Sequence, residues 1–162
     1  MQQIEHKRYK KPGPNSDYFF FISSSSLADD LSFIEQHKIE NVGLSQYEDY
    51  TFTNILPVLH LKSIRKLRVF VKKIDLTGLG KLASLEELSI GEEYKKLDFT
   101  GLTMLKHLYI TGGKFTGLTE LGSLKDLSIV YGNPATLSTE NFSENSSIES
   151  LGSDISGLVN DV

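Results

Sequence analysis

The residues able to do chemistry in this 162-residue chain are few and scattered. Gly78-Leu79-Gly80-Lys81-Leu82-Ala83 spells the G-x-G-x-x-A of a dinucleotide loop, but no strand precedes it as such a loop requires. Gly112-Gly113-Lys114 lacks the upstream spacing of a phosphate-binding loop and reads as a turn. Gly43-Leu44-Ser45-Gln46-Tyr47 has no closing glycine, so it is not a nucleophile elbow. His6, His37, His60 and His107 stand far apart, without metal-ligand spacing. The carboxylate pairs Glu86-Glu87 and Glu92-Glu93 read as a solvated charged face rather than an acid–base couple. There is no cysteine, which excludes disulfides, thiolate metal sites and cysteine nucleophiles. The expectation is a protein without catalytic residues, bound metal or cofactor.

What positions the remaining polar residues is a repeat. Of 23 leucines, 22 lie after residue 30. From residue 61 one pattern recurs as Ile64-x-x-Leu67-x-Val69, Leu85-x-x-Leu88-x-Ile90, Leu105-x-x-Leu108-x-Ile110 and Leu124-x-x-Leu127-x-Ile129, its starts 21, 20 and 19 residues apart. A second marker keeps step: Leu76-Thr77-Gly78-Leu79, Phe99-Thr100-Gly101-Leu102, Phe115-Thr116-Gly117-Leu118 and Ile155-Ser156-Gly157-Leu158. Leucines at 76, 79, 82, 85 and 88 are spaced by three, which is wrong for an α-helix. At about 100° per residue each step lags by roughly 60°, so an apolar stripe would wind off one face within two turns. A coil that turns a corner every few residues, with one leucine inward per corner, satisfies the same spacing. The closing x-Leu-x-Ile alternates with period two, as a half-buried strand does.

These units resemble the leucine-rich repeat family in its short bacterial-type form, over about residues 39–158. The resemblance implies an α/β leucine-rich repeat solenoid with a parallel sheet on its concave face and a mostly irregular convex side. Where the family carries a ladder of Asn after each strand, this chain has Lys72, Glu93, Gly113 and Gly132, so that ladder is missing.

Upstream, Ile39-x-x-Val42-x-Leu44 reads as an earlier strand, and Phe52, Leu56, Leu59 and Leu61 as a longer convex segment. Ser26 is placed to cap a helix carrying Leu27, Leu31 and Ile34 at i, i+4 and i+7, with Tyr18 to Ile22 a preceding strand. Strand, helix, strand predicts a parallel βαβ cap. The expected organisation is a basic tail over 1–16 and one domain over 17–162. Within that domain the cap covers 17–38, the repeats 39–133, a Ser/Thr/Asn-rich insertion 134–147 and a last repeat 148–162. Five apolar residues after Lys7, Arg8, Lys10 and Lys11 are too few for a signal segment, which needs about seven or more, so a cytoplasmic location is expected. The sequons at Asn141 and Asn145 would then be silent. Glu140, Glu144, Glu149, Asp154 and Asp161 would discourage pairing at the C-terminal edge, predicting a monomer, with a weak dimer through that edge as the alternative.

Side chains between and just after the apolar anchors should face away from the core. They are Lys66, Arg68 and Phe70, then Glu87, Ser89 and Glu92, then His107, Tyr109 and Thr111, then Asp126, Ser128, Val130 and Tyr131. Mixed charge with exposed aromatics and Arg is the composition of a protein-binding surface. The candidate partner-binding residues are therefore Lys66, Arg68, Phe70, Glu87, Glu92, His107, Tyr109, Asp126 and Tyr131. The expected partner is another protein. A net charge of −4 and pI near 5.6 speak against nucleic acid, and no apolar run is long enough for a membrane. A bacterial immunity-type inhibitor that occludes a cognate toxin is the second reading.

Overall fold

The computed structural model describes residues 18–92, 94, 96–111, 115–130 and 150–151. The basic tail, the 134–147 insertion, Tyr131, and all but two residues of the last repeat with its acidic edge lie outside the described residues. The chain opens with strand β1 (Phe20–Ile22), helix α1 (Leu27–His37) and strand β2 (Asn41–Ser45). Strands β1 and β2 pair in parallel, with Phe20 opposite Val42 and Ile22 opposite Leu44, so a parallel βαβ unit forms, its first strand starting at Phe20 rather than Tyr18. Ile34 is fully buried, and Leu27 and Leu31 pack partly buried beside it. Ser26 stands at the helix N-terminus but does not cap it: its hydroxyl donates to Asp30 Oδ1 at 3.0 Å. The buried Asp30 carboxylate also accepts the Ser23 N–H at 2.7 Å, tying the incoming loop to the helix's first turn, where a negative charge is favoured.

Strands β3 (Lys66–Phe70), β4 (Glu87–Ile90), β6 (His107–Thr111), β8 (Asp126–Val130) and β9 (Ser150–Leu151) extend this into one sheet of order β1-β2-β3-β4-β6-β8-β9. All pairings are parallel. Val42, Leu67, Leu88, Leu108 and Leu127 lie side by side in one buried row. Leu44, Val69, Ile90, Ile110 and Ile129 form the next. At each strand entrance a single carbonyl accepts two successive N–H groups: Arg65 O from Glu86 and Glu87, Glu86 O from Lys106 and His107, and Lys106 O from Lys125 and Asp126.

The leucine spacing of three has a direct backbone cause. Leu79 donates its N–H to Leu76 O, Leu82 to Leu79 O and Leu85 to Leu82 O, a chain of i→i−3 bonds that brings an apolar side chain inward at each corner. Leu102 and Leu105 repeat this from Phe99, and Leu121 and Leu124 from Leu118. Gly78 and Gly117, at φ 87° and 81°, enter the short 3-10 turns Leu79–Lys81 and Leu118–Glu120, where a left-handed backbone requires glycine.

One detail refines the sequence reading and one departs from it. Leu56 is 62% exposed, whereas Ile55 and Val58 are fully buried. The spacing of three runs back from Ile64 through Leu61, Val58 and Ile55, so the first unit turns the same corners as the others. The Thr-Gly-Leu marker, moreover, does not stay in register. A Cβ on Gly80 would meet the Thr100 carbonyl, which aligns Phe99-Thr100-Gly101-Leu102 with Leu79 to Leu82 rather than with Leu76 to Leu79. A short second ladder, β5 (Leu97–Asp98) with β7 (Phe115–Thr116), pairs Asp98 with Thr116. The marker records a local turn, in which Asp75 Oδ1 accepts the Thr77 N–H and Asp98 Oδ1 that of Thr100. The sheet sets the register between units. At Lys72, where the family resemblance expects Asn, the backbone N–H donates to Gln46 Oε1 at 3.3 Å.

Candidate binding face on the parallel sheet

Alternation along each strand turns the second set of side chains away from the core, and parallel pairing lines them up in rows. The first row runs Asn41, Lys66, Glu87, His107, Asp126 across β2, β3, β4, β6 and β8. The second runs Gly43, Arg68, Ser89, Tyr109, Ser128. The third holds Ser45 and Phe70 at one side and Thr111 at the other. Six expected partner-binding residues, Lys66, Arg68, Glu87, His107, Tyr109 and Asp126, thus share one face, with Phe70 at its upper margin.

From Lys66 onward the first row alternates basic and acidic residue types. Lys66 Nζ lies 3.3 Å from Glu87 Oε2, and Arg68 Nη2 3.8 Å from Glu87 Oε1. His107 Nδ1 bonds Asp126 Oδ2. One residue earlier, at the strand entrances, Glu86 sits between Arg65 at 3.6 Å and Lys106 at 2.6 Å. The Lys106 hydrogen bond, reinforced by the Lys106 and Arg65 charges, holds the Glu86 carboxyl below its ordinary value.

Aromatic rings pack over the gaps that small residues leave. A Cβ on Gly91 would fall 2.5 Å from the Phe70 ring, so Phe70 rests on that glycine. Phe21 covers Gly43 in the same way. The Arg68 guanidinium lies over the Phe19 ring, 4.0 Å from its centroid. Tyr109 is left 42% exposed. Partial burial, with the carboxylates of Asp126 and Glu87 nearby, pushes its phenol up. Glu92 stands beyond the end of β4 and accepts the Tyr47 hydroxyl at 3.3 Å, which holds a 73% exposed ring across the strand ends. Tyr131 is outside the described residues.

Phe19, Phe21, Gly91 and Tyr47 belong to this face although the sequence reading did not assign them to it. Period two could have found the first two: with Phe20 and Ile22 inward, Phe19 and Phe21 must be outward. Lys66, Arg68, Phe70, Glu87, Ser89 and Tyr109 together line an open groove of about 470 Å³. Among the described residues no group of three or more His, Asp or Glu is placed to hold a metal ion. The His107–Asp126 pair has the form of a catalytic couple, yet no hydroxyl is hydrogen-bonded to its other ring nitrogen among the described residues.

No family model matches the chain, and neither a curated protein nor a solved structure matches it. No helix among the described residues is long and apolar enough to cross a membrane.

Proposed function

We propose that the chain is a leucine-rich repeat solenoid that binds another protein through the outward, concave face of its parallel sheet and catalyses no reaction. The leucine corners, the strands in sequence order and the repeat of 19–21 residues support the solenoid reading. The observation that carries the function is the groove itself. Arg68, Phe70, Glu87 and Tyr109 come from three neighbouring strands and converge on one open recess. All four stand on paired strands, and Arg68, Phe70 and Glu87 are also held by Phe19, Gly91 and Lys66, so little further ordering entropy opposes binding. Aromatic residues and Arg at the centre, with ion pairs beside them, are the usual make-up of an interface hot spot.

The test is affinity capture from the native cell, comparing the wild-type chain with Arg68→Ala/Tyr109→Ala, with bound proteins identified by mass spectrometry. A partner retained by the wild type and lost from the double variant, whose circular dichroism is unchanged, supports the reading. A partner held equally by both moves the interface to another surface.

A further inference from the structure

We infer that the groove grips a carboxylate, an Asp or Glu side chain on an extended segment of the partner protein, and that Arg68 is the residue that grips it. This rests on the reading of the sheet face as a protein-docking surface.

Charge comes first. Lys66 and Arg68 stand against Glu87 alone along the groove wall, so the recess carries a local excess of one positive charge on a chain whose net charge is −4. Acid on a partner is therefore attracted here and repelled by much of the remaining surface. A basic partner side chain finds no such opening in the groove, because Glu87, the one carboxylate on its wall, is already engaged by Lys66 at 3.3 Å.

The geometry of Arg68 is more specific. Its guanidinium carbon lies over the Phe19 ring, 4.0 Å from the centroid, a contact that holds the group through the ring rather than through its N–H donors. The nearest carboxylate oxygen, Glu87 Oε1, is 3.8 Å from Nη2, too far for a hydrogen bond. Among the described residues the guanidinium makes no hydrogen bond at all. A planar fork of donors is thus held in place by packing with its acceptors unassigned, the arrangement that takes a carboxylate through two parallel N–H···O bonds. Ser89 and Tyr109 line the same recess, and neither hydroxyl has a hydrogen-bond partner among the described residues, so two O–H donors stand beside the fork. Phe70, resting on Gly91, supplies an apolar wall for the partner segment.

The experiment selects a phage-displayed library of 12-residue peptides on the full chain. Enriched peptides are then synthesised with Glu→Gln or Asp→Asn at each acidic position, and their affinities measured by fluorescence anisotropy. The expected result is one acidic position whose amide analogue binds about tenfold or more weakly. Arg68→Gln should weaken the acidic peptide by the same factor and the amide peptide hardly at all. Arg68→Lys, which keeps the charge and loses the fork, should fall between. Circular dichroism confirms that each variant is folded. Peptides that depend on Tyr109 but tolerate every amide replacement overturn the carboxylate inference and leave the docking face standing. Peptides indifferent to Arg68, Phe70 and Tyr109 alike, or no enrichment, overturn both.

Discussion

Gly80→Ala is the substitution that most directly tests how successive units contact one another. Gly80 lies outside the left-handed backbone region, so alanine costs nothing there conformationally. The obstacle is steric: the new Cβ would stand 2.0 Å from the Thr100 carbonyl oxygen and 3.2 Å from its carbon. An ordinary C···O contact is about 3.3 Å, so the two coils must part by roughly 1.3 Å. Neither obstructing atom belongs to a side chain that can rotate away. Overpacking of this kind costs about 1–3 kcal/mol, and because both sides are backbone the upper part of that range is expected. Gly122→Ala is the control, since nothing lies within 4 Å of its added Cβ. There the stiffened unfolded chain should yield a gain of about 0.4–1 kcal/mol. For a chain of this size 1 kcal/mol moves the melting temperature by about 2–4 °C. Thermal melts followed by circular dichroism should then show Gly80→Ala falling by about 4–12 °C and Gly122→Ala rising by about 1–4 °C. Equal melting of Gly80→Ala and wild type would refute the close approach of Gly80 and Thr100, and with it the slipped register of the marker.

Ile55→Ala should cost about 2–5 kcal/mol in urea denaturation and Leu56→Ala less than about 0.5, because the first is buried and the second 62% exposed. The reverse order would refute the placement of Ile55 inward and Leu56 outward. Tyr94 buries a hydroxyl that has no hydrogen-bond partner among the described residues, so Tyr94→Phe should raise stability by about 1 kcal/mol or more. Tyr50→Phe should lower it by a similar amount, stranding the Asn54 carbonyl that its hydroxyl serves at 2.8 Å. Burial pushes the Tyr94 phenol from 10.0 up to about 12. The unfolded chain therefore releases this proton first, and stability falls as pH rises between 10 and about 12. Tyr94→Phe should flatten that alkaline slope in melts taken from pH 9 upward, and an unchanged slope would show that Tyr94 does not contribute. Gly91→Ala should displace the Phe70 ring that rests on it, weakening peptides selected on the groove about tenfold or more. The fold should lose little by comparison, because a ring at the surface can move aside; a large fall in melting temperature would show that Phe70 is fixed in place.

The inward side of this protein was readable because many near-identical positions report the same fact. Leu67, Leu88, Leu108 and Leu127 each occupy one row, so the pattern survives any single exception and even predicts the register of the strands. The Thr-Gly-Leu marker misled because a turn motif encodes its own hydrogen bonds, as between Asp98 and Thr100, and carries no information about the coil beside it. The choice between Ile55 and Leu56 was not legible either. Leucine is apolar wherever it stands, and hydropathy alone does not say which of the adjacent Ile55 and Leu56 faces in; the structure buries the first and leaves the second 62% exposed.

The outward face has no such redundancy. Period two turns Phe19 and Phe21 outward, but their place beneath Arg68 and over Gly43 depends on strands 20 to 50 residues further along the chain. What fits Arg68 to grip a partner is not the arginine alone. It is the absence of a bonded acceptor within the described residues, together with a ring below it and a serine rather than a larger residue beside it. Each of these is a single residue at a single position, so each can change without disturbing the leucine rows. Separating them in this way lets the leucine rows keep the core while the outward chemistry varies, and it predicts that Arg68→Gln will weaken the acidic peptide about tenfold or more in a protein whose melting temperature barely moves.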